Sequence, residues 1–168
     1  MPQQTFFKFS VGKEPFWMNI DEIQLVVPVE EFSIVPRTPP IIKGISEVRG
    51  KIVTLIDLKP LFGIDSKDPD LLHAALLSQP FNNTAICLHF DFDIVEISEN
   101  ISFTEVKKTE SDYALGVKKK ILVKSSEYRF LEANELIHLC ENHIMENVKR
   151  NLIAIHQENK NEEPYSHR

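Results

Sequence analysis

Apolar and polar positions alternate with a period of two along most of this chain. Phe7, Phe9 and Val11 alternate with Lys8 and Ser10, the pattern of a half-buried strand. Gly12, Lys13 and Glu14 turn that strand, and Phe16, Met18 and Ile20 carry the pattern back. Residues 21–27 fit either a helical turn or a strand, and residues 32–35 read as another strand. Pro36, Pro39 and Pro40 then force an extended link. The most apolar stretch is 41–58; Gly44 and Gly50 punctuate it, and 51–58 reads as a buried strand. Residues 59–62 fit one helical turn stopped by Gly63, and 65–70 a polar loop. A hairpin follows, with arms at 72–78 and 84–92 around a turn at 80–83. Its return arm places Ile86, Leu88, Phe90, Phe92 and Ile94 on one face and Cys87, His89, Asp91 and Asp93 on the other. Further strands are predicted at 93–97, 103–106, 119–123 and 128–131, with Ser125, Ser126 and Glu127 as the last turn. About ten strands with no strand–helix–strand alternation predict an all-β body of antiparallel barrels or a sandwich. Ile52, Leu55, Ile56, Leu88, Phe90 and Ile121 are expected to be largely buried in it.

The period changes near the end. Ile137, Cys140, Ile144, Val148, Leu152 and Ile155 recur every three or four residues, one stripe of an amphipathic helix over about 134–158. Asn134 suits the N-cap and Glu135 the first turn. Some 24 residues span about 36 Å, long for a helix packed on one small barrel. The near part, 137–144, is therefore expected on the barrel, and the far part, 148–155, against a partner or a second copy. Residues 159–168 read as a disordered tail, so 1–158 forms the single domain.

Composition narrows the function. The chain has 168 residues, 42% hydrophobic and 26% charged, with 11 Phe to fill a core, which excludes a wholly disordered protein. A net charge of −6 argues against a nucleic-acid partner. The lysines at 107, 108 and 118–120 read as a solvated strand edge. No apolar run approaches the roughly 20 residues of a membrane span, and the first residues lack the apolar stretch of a signal peptide. The expected location is the cytoplasm. Cys87 and Cys140 form no CxxC and are expected to be reduced and buried.

Candidate chemistry is sparse. His89, Asp91 and Asp93 share a strand face and so invite a metal, but a solvent-facing strand side predicts the same residues, and no fourth ligand suggests itself. Cys140 and His143 are helical neighbours, with Cys140 on the apolar stripe. No nucleophile elbow, S-x-x-K, phosphate loop or dinucleotide fingerprint occurs. The reading is a non-enzyme with no cofactor and no metal.

One segment is distinctive: Gly44-Ile45, then Val48-Arg49-Gly50, Ile52-Val53 and Ile56-Asp57-Leu58. In this spacing it closely resembles the signature of the CheW family, the coupling proteins of bacterial chemosensory arrays. Phe7 to Gly12 with Phe16 to Ile20 resembles the family's opening hairpin, and residues 34–39 its proline-bearing link. Leu61-Phe62-Gly63 follows as in the family, residues 85–91 resemble a strand ending at Asp91, and residues 115–117 and 130–136 resemble the closing strands. The resemblance covers about residues 5–138. It implies a pair of small five-stranded SH3-like β-barrels, here with a C-terminal amphipathic α-helix. It also implies a non-catalytic adaptor between the regulatory domain of a CheA-type histidine kinase and the tip of a methyl-accepting chemoreceptor. The alternative is a divergent binding module of the same fold serving another partner or a small ligand. By the resemblance Arg49 is linked to receptor coupling, and Glu47 and Leu25 lie near a partner groove expected between the two barrels, with Arg49 at its rim. Arg49 could instead be an ion-pair partner of Glu47 or Asp57, or a solvated turn residue. Thr54, Glu47, Leu25, Cys87 and Glu132 depart from the proline, asparagine, glutamate, glycine and aspartate common at these places. Self-association through the C-terminal helix is a further expectation.

Overall fold

The computed structural model describes residues 2–68, 72–89, 91–114 and 116–161. Strands β1 (Gln4–Val11) and β2 (Glu14–Asn19) form the opening hairpin, and a 3-10 turn at Ile20–Glu22 leads into β3 (Ile23–Val29). Then come β4 (Ile42–Val48), β5 (Lys51–Ile56), β6 (Leu72–Leu77), β7 (Thr84–Leu88), β8 (Phe92–Ile97) and β9 (Ile101–Glu105). A short α1 (Ser111–Ala114), β10 (Lys119–Val123), β11 (Ser126–Phe130) and the long α2 (Ala133–Asn161) complete the described chain.

The strands form two sheets, a six-stranded one ordered β8-β1-β2-β11-β10-β9 and a five-stranded one ordered β3-β6-β7-β5-β4. The expected pair of five-stranded barrels is thus six and five, and neither closes. Among the described residues β8 and β9 share no ladder, and β3 approaches β4 only through a bridge from Ser33 to Ile45. Nor is the pairing wholly antiparallel. Phe130 pairs with Trp17 in parallel, and β5 runs parallel to β7 because β6 lies on the far side of β7.

Apolar side chains fill three places. One cluster sits within the curl of the first sheet, around Phe6, Trp17, Ile121 and Phe130. A second sits within the curl of the other sheet, around Val53, Leu55, Ala74 and Cys87. The largest lies between the sheets and under α2, where Phe7, Phe9, Phe16, Ile56, Leu77, Leu88 and Leu136 meet. Arg129 ties β11 to Glu14 at the opening turn and to Asp112 of α1 at 3.0 Å.

This layering decides which expected core residues are buried. Leu55, Ile56, Leu88 and Ile121 are at most 5% exposed. Ile52 is 64% exposed, because the outer face of β5 is covered by the other sheet only at its Ile56 end. Phe90 lies outside the described residues. The segment 32–35 forms no strand beyond the Ser33 bridge. The arm expected at 84–92 stops at Leu88, and β8 begins at Phe92.

Helix α2 starts at Ala133, so Asn134 is not its cap. The carboxylate of Glu22 accepts the Ala133 N–H at 3.0 Å, a long-range partner for one of the free donors of the first turn. Ala133, Leu136 and Cys140 are buried and Ile137 and Ile144 pack beside them, as expected of the near half. In the far half Val148, Leu152, Ile153 and Ile155 are 41–61% exposed. No described helix is long and apolar enough to cross a membrane.

Candidate partner-binding groove

The β4–β5 hairpin is in tight register: Glu47 faces Ile52 and Val48 faces Lys51 across a two-residue turn. Arg49 and Gly50 have φ of 50° and 78°, the double left-handed pair of a type I′ turn. Gly50 adopts this freely, whereas an arginine there costs on the order of 1 kcal/mol. The exposed guanidinium of Arg49 makes no ion pair among the described residues. It projects from a turn, and Asp57, one partner considered for it, is engaged elsewhere.

Beside this hairpin runs an open groove of about 940 Å³. Glu30, Glu31 and Phe32 line one side, and Glu47, Arg49 and Ile52 the other. Its floor is the seam where the second sheet fails to close. Ser33 and Ile45 exchange two backbone hydrogen bonds of 2.8 and 2.9 Å, and the Ser46 hydroxyl donates to the Glu31 carbonyl at 2.8 Å. Gly44 permits this approach, since a Cβ there would stand 2.4 Å from the Ser33 carbonyl oxygen. Of the three expected site residues, Glu47 and Arg49 come together at the groove. Leu25 does not line it; it pairs with Leu76 and packs half-buried on the second cluster.

A second polar constellation lies inside the protein. His89 is 1% exposed, with Nε2 2.9 Å from Asp57 Oδ1 and Nδ1 3.1 Å from Asp68 Oδ1, the latter out of line for a hydrogen bond. The Lys59 N–H donates to Asp57 Oδ1 at 3.0 Å, and its ammonium donates to the Ser66 carbonyl at 2.9 Å and to Asp68. Lys43 also reaches Asp68. Burial opposes the charge on Asp57, but the His89 contact, the Lys59 N–H and the nearby positive charges hold its pKa below the ordinary value. For Asp68 burial is likewise outweighed, by Lys43 and Lys59, and its pKa falls to about 2. Burial pushes the Cys87 thiol up to about 12, and Asp57 adds to the shift.

The metal face considered for His89, Asp91 and Asp93 is therefore not formed. His89 turns inward, Asp91 lies outside any strand, and Asp93 stands exposed on β8. Ligand atoms of Asp57, Asp68 and His89 do lie within 4.8 Å of one another. There the Lys59 ammonium already takes a cation's place against both carboxylates. The uninterrupted run Ala85-Ile86-Cys87-Leu88 was the available signal: a strand buried on both faces carries its next residue inward. Cys140 is buried too, and burial raises its thiol to about 12. Lysines 118, 119 and 120 each meet a carboxylate, of Glu135, Glu132 and Glu110 respectively.

Known proteins show the same architecture. A scaffolding protein, TtCheW from Thermoanaerobacter tengcongensis, superposes with a TM-score of 0.66 at 22% identity, over 79% of this chain and 86% of that one, a likeness of fold. The chemotaxis protein CheW of Klebsiella aerogenes is 34% identical over 59 residues, 35% of this chain; the match spans 36% of that relative's length. The family model described as the CheW-like domain matches residues 5–117, which include both sides of the groove and the signature hairpin, and on that match the chain belongs to the CheW-like domain family.

Proposed function

We propose that this protein is a non-catalytic cytoplasmic adaptor that couples the regulatory domain of a CheA-type histidine kinase to the tip of a methyl-accepting chemoreceptor. Family membership supports the class of function, as do relatives named for chemotaxis and scaffolding. The observation that carries the site is Arg49, a guanidinium with no ion-pair partner among the described residues, held at a strained turn on the rim of an open groove. A guanidinium offers five donors in a fixed fork, suited to carboxylates or carbonyls of a partner helix. Glu47 stands beside it on the groove wall, and Leu25 contributes by shaping β3 behind it. We assign self-association to the far half of α2, whose apolar stripe has no cover within the described chain.

The test is a reconstituted kinase–receptor assembly. Arg49→Ala should leave the thermal midpoint and binding to the kinase domain nearly unchanged while weakening receptor coupling, with Arg49→Lys between the two. Unchanged coupling, or unfolding of Arg49→Ala, would remove Arg49 from the site.

A further inference from the structure

The two halves of α2 present their apolar side chains in different directions. Leu136 and Cys140 mark the line along which the near half faces the sheets, with Ile144 packed beside it. Carried on at about 100° per residue, that line runs through Asn147, Asn151 and Glu158. Asn151 and Glu158 are exposed, so the line that would continue the packing onto the chain's own sheets turns polar. The apolar residues of the far half sit elsewhere. Met145, Val148, Leu152 and Ile155 follow a spacing of three, four and three, the a and d positions of two heptads, centred about a quarter turn from that line. They are 41–61% exposed; Ile153, also exposed, lies outside the seam. A seam of this period packs against a matching seam on another helix, each knob entering a hole of the other.

A second copy supplies such a seam, and charge sets its direction. We infer that the far half of α2 pairs antiparallel with the far half of a second copy, about a two-fold axis level with Arg150. The inference rests on the self-association proposed above and gives it a geometry. Met145 then meets the partner's Ile155, Val148 meets the partner's Leu152, and the reversed pairs repeat the contact, as an isologous interface requires. Each copy carries a net charge of −6. Antiparallel pairing holds the two bodies about 35 Å apart along the helix axis, several times the Debye length of about 8 Å at physiological ionic strength; parallel pairing sets them at the same end. It also brings Glu141, at the near end of the seam, level with the partner's Lys160, where a parallel pair would face Glu141 with the partner's Glu141. A like-charge pair, Lys149 with the partner's Lys149, falls on the solvated edge of the seam, where screening keeps its cost small. Four seam residues a copy fall far short of the roughly 20–30 a side of a standard interface, so the pair is weak and forms at high local concentration.

The test is disulfide trapping in the full chain. Cys87 and Cys140 are buried, so introduced surface thiols are the ones that the oxidant diamide reaches. Met145→Cys and Ile155→Cys are made as separate variants, both at exposed positions. Mixed, they should cross-link at least about tenfold faster than either alone, because antiparallel pairing sets position 145 against position 155 and keeps each about 15 Å along the axis from its own copy, beyond disulfide reach. Cross-linking of either variant alone as fast as the mixture overturns the antiparallel arrangement and leaves self-association standing. No cross-link in a chain that still sediments as a dimer places the contact elsewhere and overturns the seam. No cross-link in a chain that stays monomeric in sedimentation at high concentration overturns self-association itself.

Discussion

Asp57 and Arg49 belong to one short stretch of chain, and the fold treats their charges in opposite ways. Asp57 leaves the buried end of β5 and is met at once by His89, by the Lys59 N–H and by the Lys59 ammonium. Arg49 sits at the open end of the same hairpin and meets nothing charged among the described residues. An ion buried between sheets survives only when its partners are supplied, and each partner is then committed to it. A charge on a turn costs little to leave solvated and stays free for another molecule. Position in the layers thus separates a structural ion from an available one.

The largest effect that could break this contrast is at Asp57. Asp57→Ala takes the carboxylate partner from the buried His89 Nε2 and the Lys59 N–H, leaving Asp68 alone to face Lys59, and should cost about 3–5 kcal/mol in urea unfolding, whereas Arg49→Ala should stay within about 0.5 kcal/mol. Comparable costs would erase the distinction. Next is the same contrast drawn along α2. Leu136 is 1% exposed under the helix, so Leu136→Ala should cost about 2–4 kcal/mol. Leu152→Glu, on the bare half, should leave the unfolding midpoint unchanged while abolishing the proposed self-association in sedimentation velocity. A destabilised Leu152→Glu monomer would show that the far half packs on its own chain. The smallest effect is in acid. With a folded-state pKa of about 2 against an ordinary 3.8, Asp68 binds its proton more weakly folded than unfolded. Its contribution is complete above about pH 5 and fades as the pH falls toward 2. Asp57, also lowered, fades in the same direction. Asp68→Asn should flatten the loss of urea midpoint between pH 5 and 2; an unchanged slope would mean that the Lys43 and Lys59 contacts do not persist in solution.

Much was legible in the sequence because it depends on near neighbours. The alternation of Phe7, Phe9 and Val11, the Arg49-Gly50 turn and the three-and-four spacing from Ile137 each report a local period, and each formed the element it predicted. Gly50 marked the turn that exposes Arg49, and the hairpin around that turn sets Glu47 opposite Ile52. What tertiary structure alone decided involves residues far apart in sequence. Ile52 and Ile56 lie on the same face of β5 with similar side chains. One is bare and one covered, because the other sheet reaches only the Ile56 end. His89 fits a solvent-facing alternation until Asp57 and Asp68, from two other segments, close around it. The cap of α2 comes from Glu22, 111 residues away, which is why Asn134 was a reasonable but unused start. Local periodicity fixes which face of a strand or helix is apolar; only the packing of the two sheets decides how far along each element that face is covered, and which charges must find partners as a result.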